Sequence, residues 1–406
     1  MLNQRESSTE IVRVECRLFE ARNEREPILY ANPLRAWLGE AGTERRYDFP
    51  EWLVVEVELA SGEIGIGNAG LAPRLAAAIV ERHLAPLVIG RSAAELESLW
   101  QLMHRSTVPF ASRGAGMVAI SAVDIALWDA RARSLGVPVH DLLGGRVKET
   151  IPVYASRLYG GDDLDALAAE ATAYKRAGFT AVKQRFVWGP AEGRAGMLRN
   201  AELVRTVREA VGDDVDLMAD AYMGWDLDYA RRMLPLLEPY GLRWLEEPLL
   251  PDDLAGYREL RRRSPFPIAA GEHAYTLRGF AELVDRQAVD VLQFDTNRVG
   301  GISQARKICA LAEAAGLPVV PHGGQQHNYH LVISQTACLM AEYFPGEDAI
   351  AVGNELPHWL FDGEPTPVAG HVRLAPLPGL GLAVAPRDPV AEIVPVPATL
   401  EVAADG

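Results

Sequence analysis

Three short stretches decide the fold: VDLMAD at 215–220, LRWLE at 242–246 and PIAAGE at 267–272. Each is an apolar run of strand length closed by a carboxylate, Asp220, Glu246 and Glu272, and each acid lies 26 residues after the one before. A helical stretch follows each run, for example 227–238, where Tyr229, Met233, Leu234 and Leu237 share a face. A repeating strand–helix unit predicts a parallel sheet, and acids at successive strand ends project from one rim of a barrel, where catalytic groups gather. Three carboxylates on one rim repel unless a cation joins them, and hard oxygen donors of this kind suit Mg²⁺.

Outward from this ladder, strands are expected at 151–155, 181–186, 291–295, 318–321 and 350–354, and a long apolar helix at 326–346. About eight such units close a barrel. Before Ile151 the pattern differs. Strands at 11–19 and 52–60 and helices at 73–106 and 115–136 predict an α+β domain, and the polar stretch 28–49 between its strands has the length of a lid. The expected division is a capping domain over 1–145, a barrel over 146–363 and a Pro- and Gly-rich tail over 364–406 that packs back on the cap.

The 406-residue chain is 49% apolar and carries a formal net charge of −15. No basic stripe interrupts that acidity, which argues against nucleic acid and anionic membrane as partners. Cys16, Cys309 and Cys338 are odd in number and widely spaced, without metal-site spacing, which fits a reducing compartment. With no apolar leader and no run long enough to span a bilayer, a cytoplasmic protein is expected.

Other strand ends carry further candidates. Lys183 and Arg185 are two apart and therefore point to the same side of their strand, facing the acids. Asp295 and His322 close adjacent strands, and a carboxylate bonded to one imidazole nitrogen leaves the other as a general base. Glu355 follows the expected eighth strand, placed to hydrogen-bond a substrate oxygen. His273, beside Glu272, is a weaker candidate, because neighbours on a strand point opposite ways.

Together these residues resemble the enolase superfamily, mandelate racemase subgroup. The resemblance is carried in order by Lys183-x-Arg185, Asp220, Glu246 in Trp244-Leu245-Glu246-Glu247-Pro248, Gly271-Glu272, Asp295 with Val299-Gly300-Gly301, His322 and Glu355. The helix Ala122–Asp129, the turn Leu142-Leu143-Gly144-Gly145 and the tail Pro378-Gly379-Leu380-Gly381 extend it over nearly the whole chain. Trp188–Gly193 and Pro251-Asp252-Asp253 are most similar to the L-rhamnonate dehydratase branch.

The resemblance implies a modified (β/α)7β barrel with an α+β cap, and Mg²⁺ held by Asp220, Glu246 and Glu272. Glu246 is preferred over Glu247 because the family's ligand is the first of the pair. It further implies Lys183 on the substrate carboxylate, a His322–Asp295 base, and Arg185, Asn32, Tyr222 and His273 around a small acid-sugar substrate. The implied reaction is dehydration of an aldonate or aldarate to a 2-keto-3-deoxy acid. Many racemising relatives have a second lysine where this chain has Arg185, and a guanidinium does not deprotonate. Racemisation or epimerisation of a 2-hydroxy acid is the alternative, and a non-catalytic metal-binding barrel is another. Asn32-Pro33 stands where the rhamnonate branch has a histidine, and Arg185 could contact substrate or support the metal acids. A closed homo-oligomer is expected on general grounds.

Overall fold

A computed structural model describes residues 8–20, 29–39, 50–346 and 356–393. Strands β1 (Ile11–Glu20), β2 (Glu51–Leu59) and β3 (Ile64–Ala69) form an antiparallel meander. The short helix α1 (Pro33–Leu38) lies between β1 and β2, and α2 (Leu96–Ala111) and α3 (Ala115–Leu135) follow β3. A Cβ on Gly67 would fall 1.8 Å from the Ala122 carbonyl oxygen, and one on Gly65 2.1 Å from that of Ala126. The small residues of α3 thus meet the Gly65 and Gly67 face of β3, and backbone packs on backbone. The helix expected over 73–106 is interrupted: helical turns fill 73–88, the chain extends at Ile89 and turns at Gly90 with φ +80°, and α2 starts only at Leu96.

The barrel strands are β4 (Ile151–Tyr159), β5 (Ala181–Arg185), β6 (Asp216–Asp220), β7 (Trp244–Glu246), β8 (Ile268–Ala270), β9 (Val291–Leu292) and β10 (Ala341–Tyr343), all parallel along the ring. Helices α4 (Leu164–Arg176), α5 (Gly193–Val211), α6 (Leu227–Leu237), α7 (Leu254–Arg263), α8 (Thr276–Asp285) and α9 (Gly301–Ala315) alternate with them, and α10 (Gln326–Ser334) precedes β10. Three start on an aspartate, Asp163, Asp226 and Asp253, whose side chain accepts an N–H of the first turn. The seventh strand is reduced to bridges: Val319 pairs with both Leu292 and Cys338, and His322 with Asp295. Because β10 pairs with β4, the ring closes.

Two expectations are corrected here. The eighth strand is Ala341–Tyr343, not 350–354, which lies outside the described residues. The helix expected to reach 346 stops at Ser334, because Gln335 turns extended and releases the apolar run to form the strand. Apolarity alone does not separate a buried helix from a buried strand.

The tail carries β11 (Phe361–Asp362), β12 (His371–Val372), β13 (Ala383–Val384) and β14 (Ala391–Ile393). β14 extends the cap sheet along β1, whereas β12 lies antiparallel on β4 of the barrel. Buried Asp129 of α3 accepts the N–H groups of Ile66 and Leu380, binding the cap sheet to the tail. Among the described residues no helix is long and apolar enough to cross a membrane.

Where cap, α10 and tail meet, a buried imidazole chain fixes its own tautomers. Arg146 Nε donates to His140 Nε2 at 3.1 Å, so His140 carries its proton on Nδ1, 3.0 Å from His330 Nδ1. His330 Nδ1 also accepts the His140 N–H at 3.0 Å, leaving His330 Nε2 to donate to the Leu380 carbonyl. Both rings are therefore neutral, and burial pushes His330 down to about 3. A depressed folded-state value means that stability is intact above the unfolded imidazole value of about 6.5 and is lost below it. Urea unfolding at pH 7.5 and 5 is expected to show a loss approaching about 1.4 kcal/mol per pH unit from His330. His330→Asn is expected to flatten that slope.

Candidate active site

The side chains at the barrel mouth follow from period-two alternation. Tyr154, Ala181, Met218, Trp244, Val291, Val320 and Met340 fill the interior as one apolar layer. The next inward position on six of these strands is Lys183, Asp220, Glu246, Gln293, His322 or Glu342, and one further step brings Arg185 and Asp295. Glu272 reaches the same rim differently. Gly271 turns the chain at φ +139°, where a Cβ would lie 2.9 Å from the Gln293 carbonyl oxygen, and the residue after it swings inward.

Asp220 and Glu246 are aligned across β6 and β7, with Arg185 aligned to Asp220 from β5. Lys183 is fully buried and bonds Glu246, with Glu342 at 2.8 Å and Asp220 at 3.5 Å. Arg185 Nη1 donates to Asp220 at 2.5 Å. The remaining Glu246 oxygen accepts from Trp244 Nε1 and Gln293 Nε2, each at 2.9 Å. Burial pushes the Glu342 carboxyl upward, but the Lys183 ammonium outweighs it and holds the group at about 2.

Across the rim, His322 Nδ1 lies 2.8 Å from Asp295, and its Nε2 lies 2.9 Å from Glu272. Arg298 bridges the same two acids, Nε to Asp295 at 2.9 Å and Nη1 to Glu272 at 3.2 Å. Burial opposes a charge on His322, yet the Glu272 carboxylate and the Asp295 bond prevail and hold the ring up at about 10. In this arrangement His322 keeps its proton.

Among the described residues, one set of potential ligand atoms gathers within 4.8 Å: Glu247, Glu272 and His273. The acids expected to share a metal are divided instead, Asp220 and Glu246 toward Lys183, Glu272 toward His322 and Arg298. His273 belongs to the site after all, because the chain has left β8 before reaching it; its Nδ1 lies 2.8 Å from Glu247. Asn32 sits at the rim, but its side chain caps α1, accepting the Arg35 N–H at 2.9 Å and donating to the Tyr30 carbonyl at 3.1 Å. Tyr222 follows Asp220 by two residues, with φ +42°, and its N–H donates to Asp220 at 2.8 Å. Glu355 lies outside the described residues, and Glu342 occupies the eighth strand.

Sequence reasoning missed Glu342, Arg298 and Gln293, and it passed over Glu247 in favour of Glu246. The available signals were parity for Glu342, two after apolar Met340, and a three-residue step for Arg298 after Asp295.

The donor set itself fits a divalent cation. Asp220, Glu246, Glu247, Glu272, Asp295 and Glu342 are each at most 5% exposed, while Lys183, Arg185 and Arg298 are the permanent cations beside them. Buried negative charge in excess of its partners is costly, and hard oxygen donors accept Mg²⁺ to relieve it.

Residues 48–144 match the mandelate racemase/muconate lactonizing enzyme N-terminal domain, and residues 166–388 match the enolase C-terminal domain-like family. A putative L-rhamnonate dehydratase of Caldivirga maquilingensis is 41% identical over 81% of this chain and 80% of its own. An L-rhamnonate dehydratase of Saccharopolyspora erythraea is 40% identical over 82% and 83%. The solved rhamnonate dehydratase from Gibberella zeae complexed with Mg superposes with a TM-score of 0.81, at 28% identity over 93% of this chain and 94% of that one.

Proposed function

The chain belongs to the mandelate racemase/muconate lactonizing enzyme family, and from that premise we propose that it is a Mg²⁺-dependent dehydratase of sugar acids, L-rhamnonate-dehydratase-like, yielding 2-keto-3-deoxy acids. The observation that carries the reading is the buried His322–Asp295 pair facing an acidic rim, with Arg185 on the opposite wall. His322 is the base there, and at the Arg185 position no second base is available, because a guanidinium stays protonated. Dehydration needs one base; racemisation needs two.

Asp220, Glu246 and Glu272 would hold the ion, with Glu247 beside Glu272. When bound, Mg²⁺ supplies Lewis-acid polarisation of the substrate carboxylate. The remaining chemistry belongs to the chain. With Glu272 serving as a ligand, His322 Nε2 would be free of its ion pair, and the imidazole would accept the C2 proton. Asp295 keeps the ring oriented through Nδ1. Lys183 lies beside the substrate carboxylate and balances its developing charge. Glu342 takes the place expected of Glu355, and being ionised it holds Lys183 rather than donating a proton. The proton carried by His322 then leaves with the C3 hydroxyl as water, and the enol product tautomerises to the keto acid. Residues 1–145 and the 364–406 tail are proposed to act as the cap over this mouth.

Proton NMR in D₂O tests the reading. With Mg²⁺ and a pool of six-carbon and 6-deoxy aldonates and aldarates, new C3 methylene signals are expected with loss of the C2 proton. Loss of the C2 signal alone would move the reading to epimerisation. Chelation is expected to abolish turnover and to lower the melting temperature, since the excess of buried carboxylates then lacks its cation; unchanged melting and turnover in EDTA would refute the metal assignment.

A further inference from the structure

We propose that Asn297 is a positioning residue for the reaction: its side chain, anchored on Asn68 of cap strand β3, holds the turn that aims Asp295 at His322; this rests on the dehydratase reading above, in which His322 is the base.

Strand alternation brings the anchor to the barrel. Gly65 and Gly67 of β3 face α3, so Ile66 and Asn68 point the other way. On that side Ile66, with Trp52 and Val54 of β2, packs into the barrel's hydrophobic core. Asn68 is 1% exposed, and a buried amide among apolar neighbours must find partners. Its Oδ1 accepts from Trp52 Nε1 at 3.1 Å and from Asn297 Nδ2 at 3.0 Å. Its backbone carbonyl accepts from the same Asn297 Nδ2 at 2.6 Å. Asn297 is thereby tied twice to a residue 229 positions earlier.

Asn297 also sits in the turn that carries the partner of the base. Its backbone N–H donates to Asp295 Oδ1 at 2.8 Å. The N–H groups of Arg298 and Val299 donate to the Asp295 carbonyl at 2.9 and 2.8 Å. One carboxylate oxygen is spent on the turn, and the other, Oδ2, meets His322 Nδ1 at 2.8 Å and Arg298 Nε at 2.9 Å. The direction of Oδ2 therefore follows from where the Asn297 N–H is held. Neither member of the pair stands on a full strand: β9 ends at Leu292, and His322 lies on the strand that is reduced to bridges. The cap supplies the hold that the sheet lacks here. It also fixes the far end of the turn, where Trp100 Nε1 donates to the Gly300 carbonyl at 2.8 Å and Ser121 Oγ accepts the Gly300 and Gly301 N–H groups at 2.9 and 3.1 Å.

Asn297→Ala cuts both bonds to Asn68 and leaves the backbone of the turn. With Mg²⁺ and a sugar acid that the wild type dehydrates, kcat corrected for the folded fraction is expected to fall about tenfold to a hundredfold, the scale of a misplaced catalytic group. KM is expected to stay within about threefold, since the Asn297 amide is turned to the cap rather than to substrate. Asn68→Ala keeps the carbonyl and is expected to lose less. Because Asn68 acts through Asn297, the double variant is expected to be no slower than Asn297→Ala alone. Wild-type kcat in Asn297→Ala, a loss confined to KM, or additive losses in the double variant overturn the proposal. The low-field proton resonance of His322 Nδ1–H, identified by its absence in His322→Asn, reads the same bond without turnover. In the Mg²⁺-loaded protein it is expected to shift, or to exchange away with water, in Asn297→Ala; an unmoved resonance refutes the tether. Should the wild type dehydrate no acid, the dehydratase reading fails, and the resonance decides the positioning of the pair by itself.

Discussion

His322→Asn is expected to lower kcat by about a thousandfold or more while the protein keeps its fold, the upper part of the range for losing a general acid–base group. The ring serves twice in the proposed reaction, taking the C2 proton and returning it to the C3 hydroxyl, so asparagine removes both transfers. Its amide can still bond Asp295, which limits the structural cost. The check pairs turnover and C2 hydrogen exchange in D₂O with circular dichroism and the urea midpoint. Activity within tenfold of wild type would sink the base assignment. The pH profile carries a second expectation. Without metal, Glu272 and Asp295 hold the imidazole up at about 10. Ordinary turnover near neutrality therefore requires the Glu272 contact to be relieved, and activity at fixed pH is expected to rise as Mg²⁺ saturates.

Lys183→Met is expected to destabilise the protein by about 3–5 kcal/mol, the usual loss when one member of a buried ion cluster is removed. The fully buried ammonium is shared by Glu246 and Glu342, with Asp220, itself bonded to Arg185, 3.5 Å away. Methionine fills the volume and leaves Glu246 and Glu342 without their buried cation, while Asp220 keeps Arg185. Two outcomes are expected at once: a lower urea midpoint, partly restored by raising Mg²⁺, and loss of dehydration. A stable but inactive variant would mean that Lys183 serves substrate alone. A stable and active one would remove it from the site.

The mouth of the barrel was legible in the sequence wherever a residue's role depends on its own strand. Alternation along a strand is local, so Lys183 and Arg185 had to share a side, and Asp220 and Glu246 had to cap inward-facing columns whatever the ring's closure. The 26-residue interval likewise reported the repeat directly. Identity across strands is a different quantity. Glu342 was hidden inside an apolar run that reads equally as helix, and only its pairing with β4 makes it the eighth strand. His273 was expected near the substrate through the family resemblance alone, since strand alternation points it away from Glu272; the turn at Gly271, whose φ of +139° no pattern announces, brings the two together. Asn32 occupies the expected place but faces its own helix, since capping α1 satisfies an N–H that would otherwise lack a partner.

Sequence by itself thus determined the parallel barrel, its cap, the acid ladder and the His322–Asp295 pair, because each rests on periodicities of two residues or of one strand–helix unit. Tertiary structure decided which acid closes the ring, that Arg298 joins Asp295 to Glu272, and that Glu247 meets His273. Apart from Arg298 with Asp295, three residues apart, those contacts join residues tens to more than a hundred positions apart, and they exist only after strand register and ring closure have set which side chains meet.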